Sequence, residues 1–229
     1  MTTFDSHPIR AVIFDMDGLL LDSERIAYEL GREASLYLGL PWDHDVAMRM
    51  IGSNSRDGYQ LLRDAFGPTF PVDDHQAEFG RRYEQAIAEG RFPLKPGVLE
   101  LFDLLESLEL PRVVATSTRR SRAVPKLAHT GLLPRLGGVV GGDEVSRGKP
   151  APDIYLAAAR LAATPVGDCL VLEDSNTGVR GGIAAGARVV MVPDMLSPAE
   201  DVLRLGVPVM KDLFEVAAAL RKPAGDGQG

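Results

Sequence analysis

Cysteine is almost missing from this chain: Cys169 is the one example among 229 residues. A single thiol excludes an internal disulfide and fits a reducing compartment, and its place in an apolar run reads as that of a small core residue. Long apolar runs are missing as well. None approaches the roughly 18 residues needed to cross a bilayer, and the N-terminus lacks the charged, apolar and small-residue regions of a secretory signal. The expectation is a cytoplasmic protein. Positive charge is in deficit, with 25 Lys and Arg against 32 Asp and Glu and a net charge of −7. That balance argues against nucleic acid or an anionic membrane as the main partner, and an acidic surface fits a monomer or weak homodimer. It still leaves room for a small phosphorylated metabolite, because a bound Mg²⁺ and a few placed donors can outweigh net charge locally. The four histidines (His7, His44, His75, His129) lack metal-ligand spacing, so no zinc site is expected. There is no internal repeat, and the one biased tract is the tail 223–229, expected to be disordered.

What is present is ordered around residues 11–24. Ala11 to Phe14 has the length and β-branched content of a buried strand. It runs into Asp15, then Asp17, then Gly18. In an open α/β sheet, ligands sit outside the carboxyl ends of the strands, so both carboxylates face the expected site. Two acids beside apolar sequence are costly to bury unless a cation or a proton compensates them. One could then act as nucleophile and the other as proton carrier. The plainer alternative is a pair of loop aspartates capping the next helix.

From Asp22 the pattern turns helical, with Ile26, Leu30, Ala34 and Leu38 at four-residue spacing before Gly39. Further helices are expected near 43–50, 55–66 and 73–90, and no strand is expected between 22 and 92. Residues 21–92 therefore read as a helical insert, hinged near Leu20–Asp22 and Phe92–Pro96. The core would be 1–20 with 93–222. After Lys95-Pro96-Gly97 strands alternate with helices. Strands are expected at 112–115, 139–140, 169–172, 188–192 and 207–210. Helices are expected at 97–109, 121–130, 152–163, 176–185, 198–204 and 212–221. Such alternation predicts an α/β fold: a Rossmann-like, doubly wound parallel sheet covered on both faces.

The strand ends carry the chemistry. Asp15 and Asp17, Thr116 with Ser117, Lys149 on a loop, and Glu173 with Asp174 can all converge on one sheet edge. Two acidic clusters offer the hard oxygen ligands Mg²⁺ needs. Thr116, Ser117 and the amides after them can donate to phosphate oxygens, and Lys149 supplies a cation. Singly, Thr116 could be a helix cap, Lys149 a solvated loop residue, and Glu173-Asp174 a helix start. Together, in this order, they make a constellation.

That constellation resembles the four motifs of the haloacid dehalogenase superfamily, in the β-phosphoglucomutase-like branch with a helical cap. The matching residues are 15–24, Thr116, Gly148-Lys149-Pro150 and 172–178. The resemblance implies an aspartyl-phosphate on Asp15, with Asp17 protonating the leaving oxygen and then activating water. Thr116 would bind phosphate and Lys149 would steady the charges. Mg²⁺ would be held by Asp15, the Asp17 carbonyl and Asp174, with Glu173 near or in the shell. Dehalogenases lack the second acid, so Asp17 argues for phosphoryl chemistry. Phosphonate-cleaving relatives use a cap lysine, and residues 18–94 contain none. Mutase relatives carry a histidine near the position of Ala27. A Mg²⁺-dependent phosphatase of sugar or polyol phosphates is therefore expected, with a sugar phosphomutase as the alternative. A receiver-like phospho-switch, which shares the acids, Ser/Thr and lysine, is remote because there the acidic pair comes early in the chain. Substrate contacts expected from the insert are Arg49, Ser53, Asn54 and Arg82, with Arg81 beside it, since arginine forks match phosphate and polar side chains match sugar hydroxyls.

Overall fold

The computed structural model describes residues 8–51 and 55–221. By its contacts the chain divides into two compact units, 1–21 with 94–229, and 22–93.

The first unit is an open sheet of five parallel strands in the order β3-β2-β1-β4-β5. They are β1 (Ala11–Phe14), β2 (Arg112–Ala115), β3 (Gly138–Val140), β4 (Cys169–Glu173) and β5 (Arg188–Met191). Every residue of β1 and β4 is buried, as strands covered on both faces must be. The chain grows outward from β1 through β2 to β3, then returns to the other side of β1 for β4. The strand order therefore reverses at β1, which is where open sheets of this kind place their ligands.

Residue parity distributes the core between the two faces. Ala11 and Ile13 join a cluster with Val113, Ala115, Cys169 and Val171, packed against Ile154, Tyr155 and Ala158 of helix α7 (Asp153–Leu161). Phe14 has the opposite parity and meets Phe102 of helix α5 (Val98–Ser107), ring centroids 5.1 Å apart. Both rings are fully buried. Phe102→Ala should therefore destabilise the protein by about 3–5 kcal/mol, read as a lowered thermal midpoint with little change in activity at a temperature where both forms are folded.

The unit is completed by α6 (Arg120–His129), α8 (Asn176–Ala184), α9 (Glu200–Arg204) and α10 (Leu213–Arg221). One expected strand is corrected. Residues 207–210 contribute a single parallel bridge, Val209 to Met191, rather than a sixth strand. Pro208 has no N–H to give to a ladder, and only its carbonyl is used, accepting from Met191. Cys169 is buried in β4, and burial first, with Asp168 assisting, pushes its thiol up to about 11. It behaves as a small hydrophobe.

The second unit consists of helices α1 (Ser23–Tyr37), α2 (His44–Met50), α3 (Ser55–Phe66) and α4 (Val72–Ala88). No strand occurs among its described residues. Its core includes Leu30 and Ala34 of α1, Ala86 and Ile87 of α4, and a cluster of Leu62, Phe70 and Val72. Asp43 caps α2 by accepting from Val46 N–H at 2.9 Å.

Candidate active site

Asp15 is the first residue beyond β1, where its N–H donates to the Leu172 carbonyl at 3.0 Å. The backbone then turns sharply: Gly18 sits at φ +84°, and the N–H groups of Leu20 and Leu21 both donate to the Met16 carbonyl. A side chain at Gly18 would be strained by that φ and would overlap the Asp174 carboxylate. The loop carrying Asp15 and Asp17 is thus pressed against the end of β4. These acids do not cap the next helix, since α1 starts at Ser23 with Asp22 as its N-cap.

Asp15 is buried, 6% exposed, and so is Glu173, 0% exposed at the last position of β4. Lys149 lies between them. Its Nζ donates to Asp15 Oδ1 and to Glu173 Oε1, and its side chain is 5% exposed, which is no solvated loop lysine. Glu173 Oε1 also accepts from the Tyr155 hydroxyl at 2.5 Å. Its Oε2 accepts from Ser175 Oγ at 3.0 Å and Ser175 N–H at 3.2 Å. The α8 cap is Ser175, accepting from Gly178 N–H, so neither Glu173 nor Asp174 serves as the helix start. Gly178 must be glycine here, because a Cβ would overlap the Glu173 carboxylate.

Burial pushes the Asp15 carboxyl up to about 8; Lys149 opposes this, and Glu173 and Asp17 add to it. Burial alone would lower Lys149, but Asp15 and then Glu173 outweigh it and hold the ammonium well above its ordinary range. Tyr155 is raised by burial first and by Glu173 next, so it remains a donor at neutral pH.

Asp17 stands at the end of β2. Its Oδ1 accepts from Lys126 Nζ at 2.5 Å, and its Oδ2 from Thr118 Oγ1 at 2.6 Å. Thr116 Oγ1 lies 3.5 Å from the same Oδ2 and accepts from Thr118 N–H at 3.1 Å. Thr116 is buried and caps nothing, since Arg119 holds the N-cap position of α6. Ser117 beside it is exposed.

The structure therefore brings Asp15, Asp17, Thr116, Lys149, Glu173 and Asp174 to one sheet edge. In the helical unit the expected contacts fare differently. Ser53 and Asn54 lie outside the described residues. Arg49 is exposed in the last turn of α2. Arg82, read as a substrate contact, is paired within the helical unit. Its Nε donates to Glu78 at 2.7 Å and its Nη1 to Glu33 at 2.9 Å, with the guanidinium over the Tyr37 ring. Glu33 and Tyr37 tie it to α1. Arg81 is likewise paired with Glu78.

Three residues of the site were not found from the sequence: Thr118, Lys126 and Tyr155. Lys126 did leave a signal. It falls between Ala123 and Leu127 on the buried face of α6, where periodicity calls for an apolar side chain.

Among the described residues, no three His, Cys, Asp or Glu side chains are grouped so as to hold a metal by themselves. Mg²⁺ does not require that, since it binds through one or two carboxylates and completes its shell with water and phosphate oxygens. The electrostatics fit such an ion. Four carboxyl groups (Asp15, Asp17, Glu173, Asp174) gather with two ammoniums (Lys126, Lys149), a set that offers the hard oxygen donors Mg²⁺ takes.

The chain thus builds a doubly wound parallel sheet with an aspartate-centred, lysine-bridged acidic site at its switch point and a helical unit inserted after the first strand. The model of the haloacid dehalogenase-like hydrolases matches residues 9–186, and the chain belongs to that family. Protein CbbY of Rhodobacter capsulatus is 34% identical over 203 residues, 84% of this chain and 89% of the relative. The phosphorylated carbohydrates phosphatase of Thermotoga maritima is 30% identical over 216 residues, 93% of this chain and 99% of the relative. Among solved structures, a hydrolase of the same family from Deinococcus radiodurans R1, with bound phosphate and sodium, has a TM-score of 0.79 at 30% identity, covering 94% of this chain and 96% of that one.

Proposed function

We propose that this chain is a Mg²⁺-dependent phosphatase of small phosphorylated metabolites, sugar or polyol phosphates, working through a phosphorylated Asp15. The observation that carries the reading is the placement of Asp15 at the end of the central strand, bridged by Lys149 to Glu173, with Asp17 two residues on. A relative named as a phosphorylated carbohydrates phosphatase, matched over nearly the whole of both chains, supports the substrate class.

Asp15 Oδ attacks phosphorus as the P–O bond to the leaving alcohol breaks, and Asp17 gives its proton to the departing oxygen. Asp17, now a carboxylate, takes a proton from the water that attacks the phosphorylated Asp15. Inorganic phosphate leaves and Asp15 is regenerated. Thr116, with Ser117 and the amides before α6, donates to the phosphate oxygens, and Lys149 neutralises charge on Asp15 and the transferring group. Asp15, Asp174 and the Asp17 backbone carbonyl would hold Mg²⁺, with Glu173 at the edge of the shell. When bound, the ion offsets the negative charge of the phosphoryl group and the carboxylates.

The test is phosphate release from hexose phosphates, glycerol phosphate, phosphoglycolate and nucleotides, with Mg²⁺ or with EDTA. Release from sugar or polyol phosphates that stops in EDTA and returns on adding excess Mg²⁺ is expected. Failure on every substrate would overturn the reading. Isomerisation of a hexose 1-phosphate in the presence of a bisphosphate, with little free phosphate, would replace it with a mutase.

A further inference from the structure

Lysine is scarce here. Of the 25 basic residues only five are lysine, at positions 95, 126, 149, 211 and 222. The exposed cations are overwhelmingly arginine, yet two of the five lysines are buried among the acids of one sheet edge. Lys149 belongs to the recognised constellation. Lys126 does not.

Lys126 reaches the site from α6, on the face shared by Ala123 and Leu127, and its side chain is fully buried. Removing an ammonium from water costs several kcal/mol unless a partner returns it. The partner is Asp17, whose Oδ1 accepts from Nζ at 2.5 Å while Thr118 Oγ1 donates to its Oδ2 at 2.6 Å. Each carboxylate oxygen is thus held by a donor from a different segment, one on the helix and one on the turn before it. A carboxylate gripped at both oxygens has its torsions set by the fold. An exposed aspartate at a loop end would sample several rotamers. Proton transfer to a leaving oxygen tolerates little misplacement, so a fixed carboxylate is worth a large factor in rate.

We propose that Lys126 is a positioning residue for this reaction: with Thr118 it clamps the Asp17 carboxylate in the geometry from which it serves the leaving group and the attacking water. This rests on the reading of Asp17 as proton carrier. Lys126 touches neither substrate nor phosphate in this role and acts only through Asp17.

Leaving-group chemistry separates this from a general structural role. Lys126→Met keeps the length and apolar stem of the side chain and removes its charge. Where the leaving alcohol needs a proton, as in glycerol phosphate, kcat/KM should fall by about 10²-fold. With 2,4-dinitrophenyl phosphate, whose leaving group departs unprotonated, the first turnover should stay within about threefold of wild type. A burst of one equivalent of dinitrophenolate should follow, because breakdown of the phosphorylated enzyme still needs Asp17. Asp17→Asn should show the same pattern, and adding Lys126→Met to Asp17→Asn should cost nothing more. Circular dichroism and a thermal melt confirm that each variant is folded. Should Lys126→Met not fold, Thr118→Val tests the other half of the clamp by the same two substrates.

Equal losses on both substrates, or additive losses in the double variant, would overturn the positioning role while leaving the phosphatase reading intact. If Asp17→Asn itself retains wild-type activity on glycerol phosphate, the underlying assignment of Asp17 has failed instead.

Discussion

Asp15→Asn is expected to abolish phosphate release, with kcat falling by at least about 10⁴-fold, and at the same time to make the metal-free protein more resistant to heat. The two effects have one cause. Asp15, the proposed nucleophile, is buried just beyond the end of β1, and burial pushes its carboxyl up to about 8. The sign follows from proton binding. Between the ordinary carboxylate range and that raised value, the folded metal-free protein holds a proton on Asp15 that the unfolded chain does not. Stability from this group is therefore full at acidic pH and declines as pH rises through about 8. Asparagine carries no such charge. The variant should gain about 1–3 kcal/mol over metal-free wild type near pH 8, and the gain should vanish near pH 4. Thermal melts in EDTA across this range, beside a phosphate-release assay with Mg²⁺, check both halves. More than about 1% residual activity would remove Asp15 from the nucleophile's role. A stability difference independent of pH would show that its burial is not electrostatically costly.

Lys149→Met should have the opposite effect on stability and a similar one on activity. The ammonium is the shared partner of Asp15 and Glu173, both buried. Removing it leaves two carboxylates facing each other with no intervening cation, and deleting one member of a buried ion pair typically costs about 3–5 kcal/mol. For a chain of this size that is a fall of roughly 6–20 °C in thermal midpoint. The deficit should be greatest at alkaline pH and shrink on acidification, since protonated carboxyls need no cation. Mg²⁺ should restore part of the loss, by supplying charge beside Asp15. Activity should drop by about 10³-fold or more even when Mg²⁺ is saturating, if Lys149 offsets charge on the transferring group as proposed. Melts at pH 5 and pH 8, with and without Mg²⁺, measure this. A midpoint unchanged at pH 8 would mean that the bridge contributes nothing to the fold.

Both variants concern residues that could be located by reading along the chain. β-Branched runs ending in acids, as at Phe14-Asp15 and Leu172-Glu173, mark strand ends without any knowledge of the third dimension. All carboxyl ends of a parallel sheet share one edge, so their convergence followed from the alternation of strands and helices. The helical insert was legible for the same reason: α1 and α4 declare themselves by apolar spacing at i and i+4. Single-strand features were less legible. The segment 207–210 has the apolar composition of a strand, but Pro208 withholds an N–H from the ladder, and its pairing with β5 stops at one bridge.

What the sequence determined by itself is the fold class, the acids at the strand ends and Thr116, because each is encoded locally by a strand's apolar run and the residues that follow it; Lys149 was legible through its Gly-Lys-Pro loop motif. What only the tertiary structure decided is which side chains from elsewhere complete them. Lys126 meets Asp17 across 109 residues, Tyr155 meets Glu173 from a helix, and Arg82 pairs with Glu33 and Glu78. The physical reason is the same in each case. A charged or hydroxyl side chain chooses its partner by distance and burial, and a helix presents it to whichever carboxylate the packing of the sheet has brought within reach.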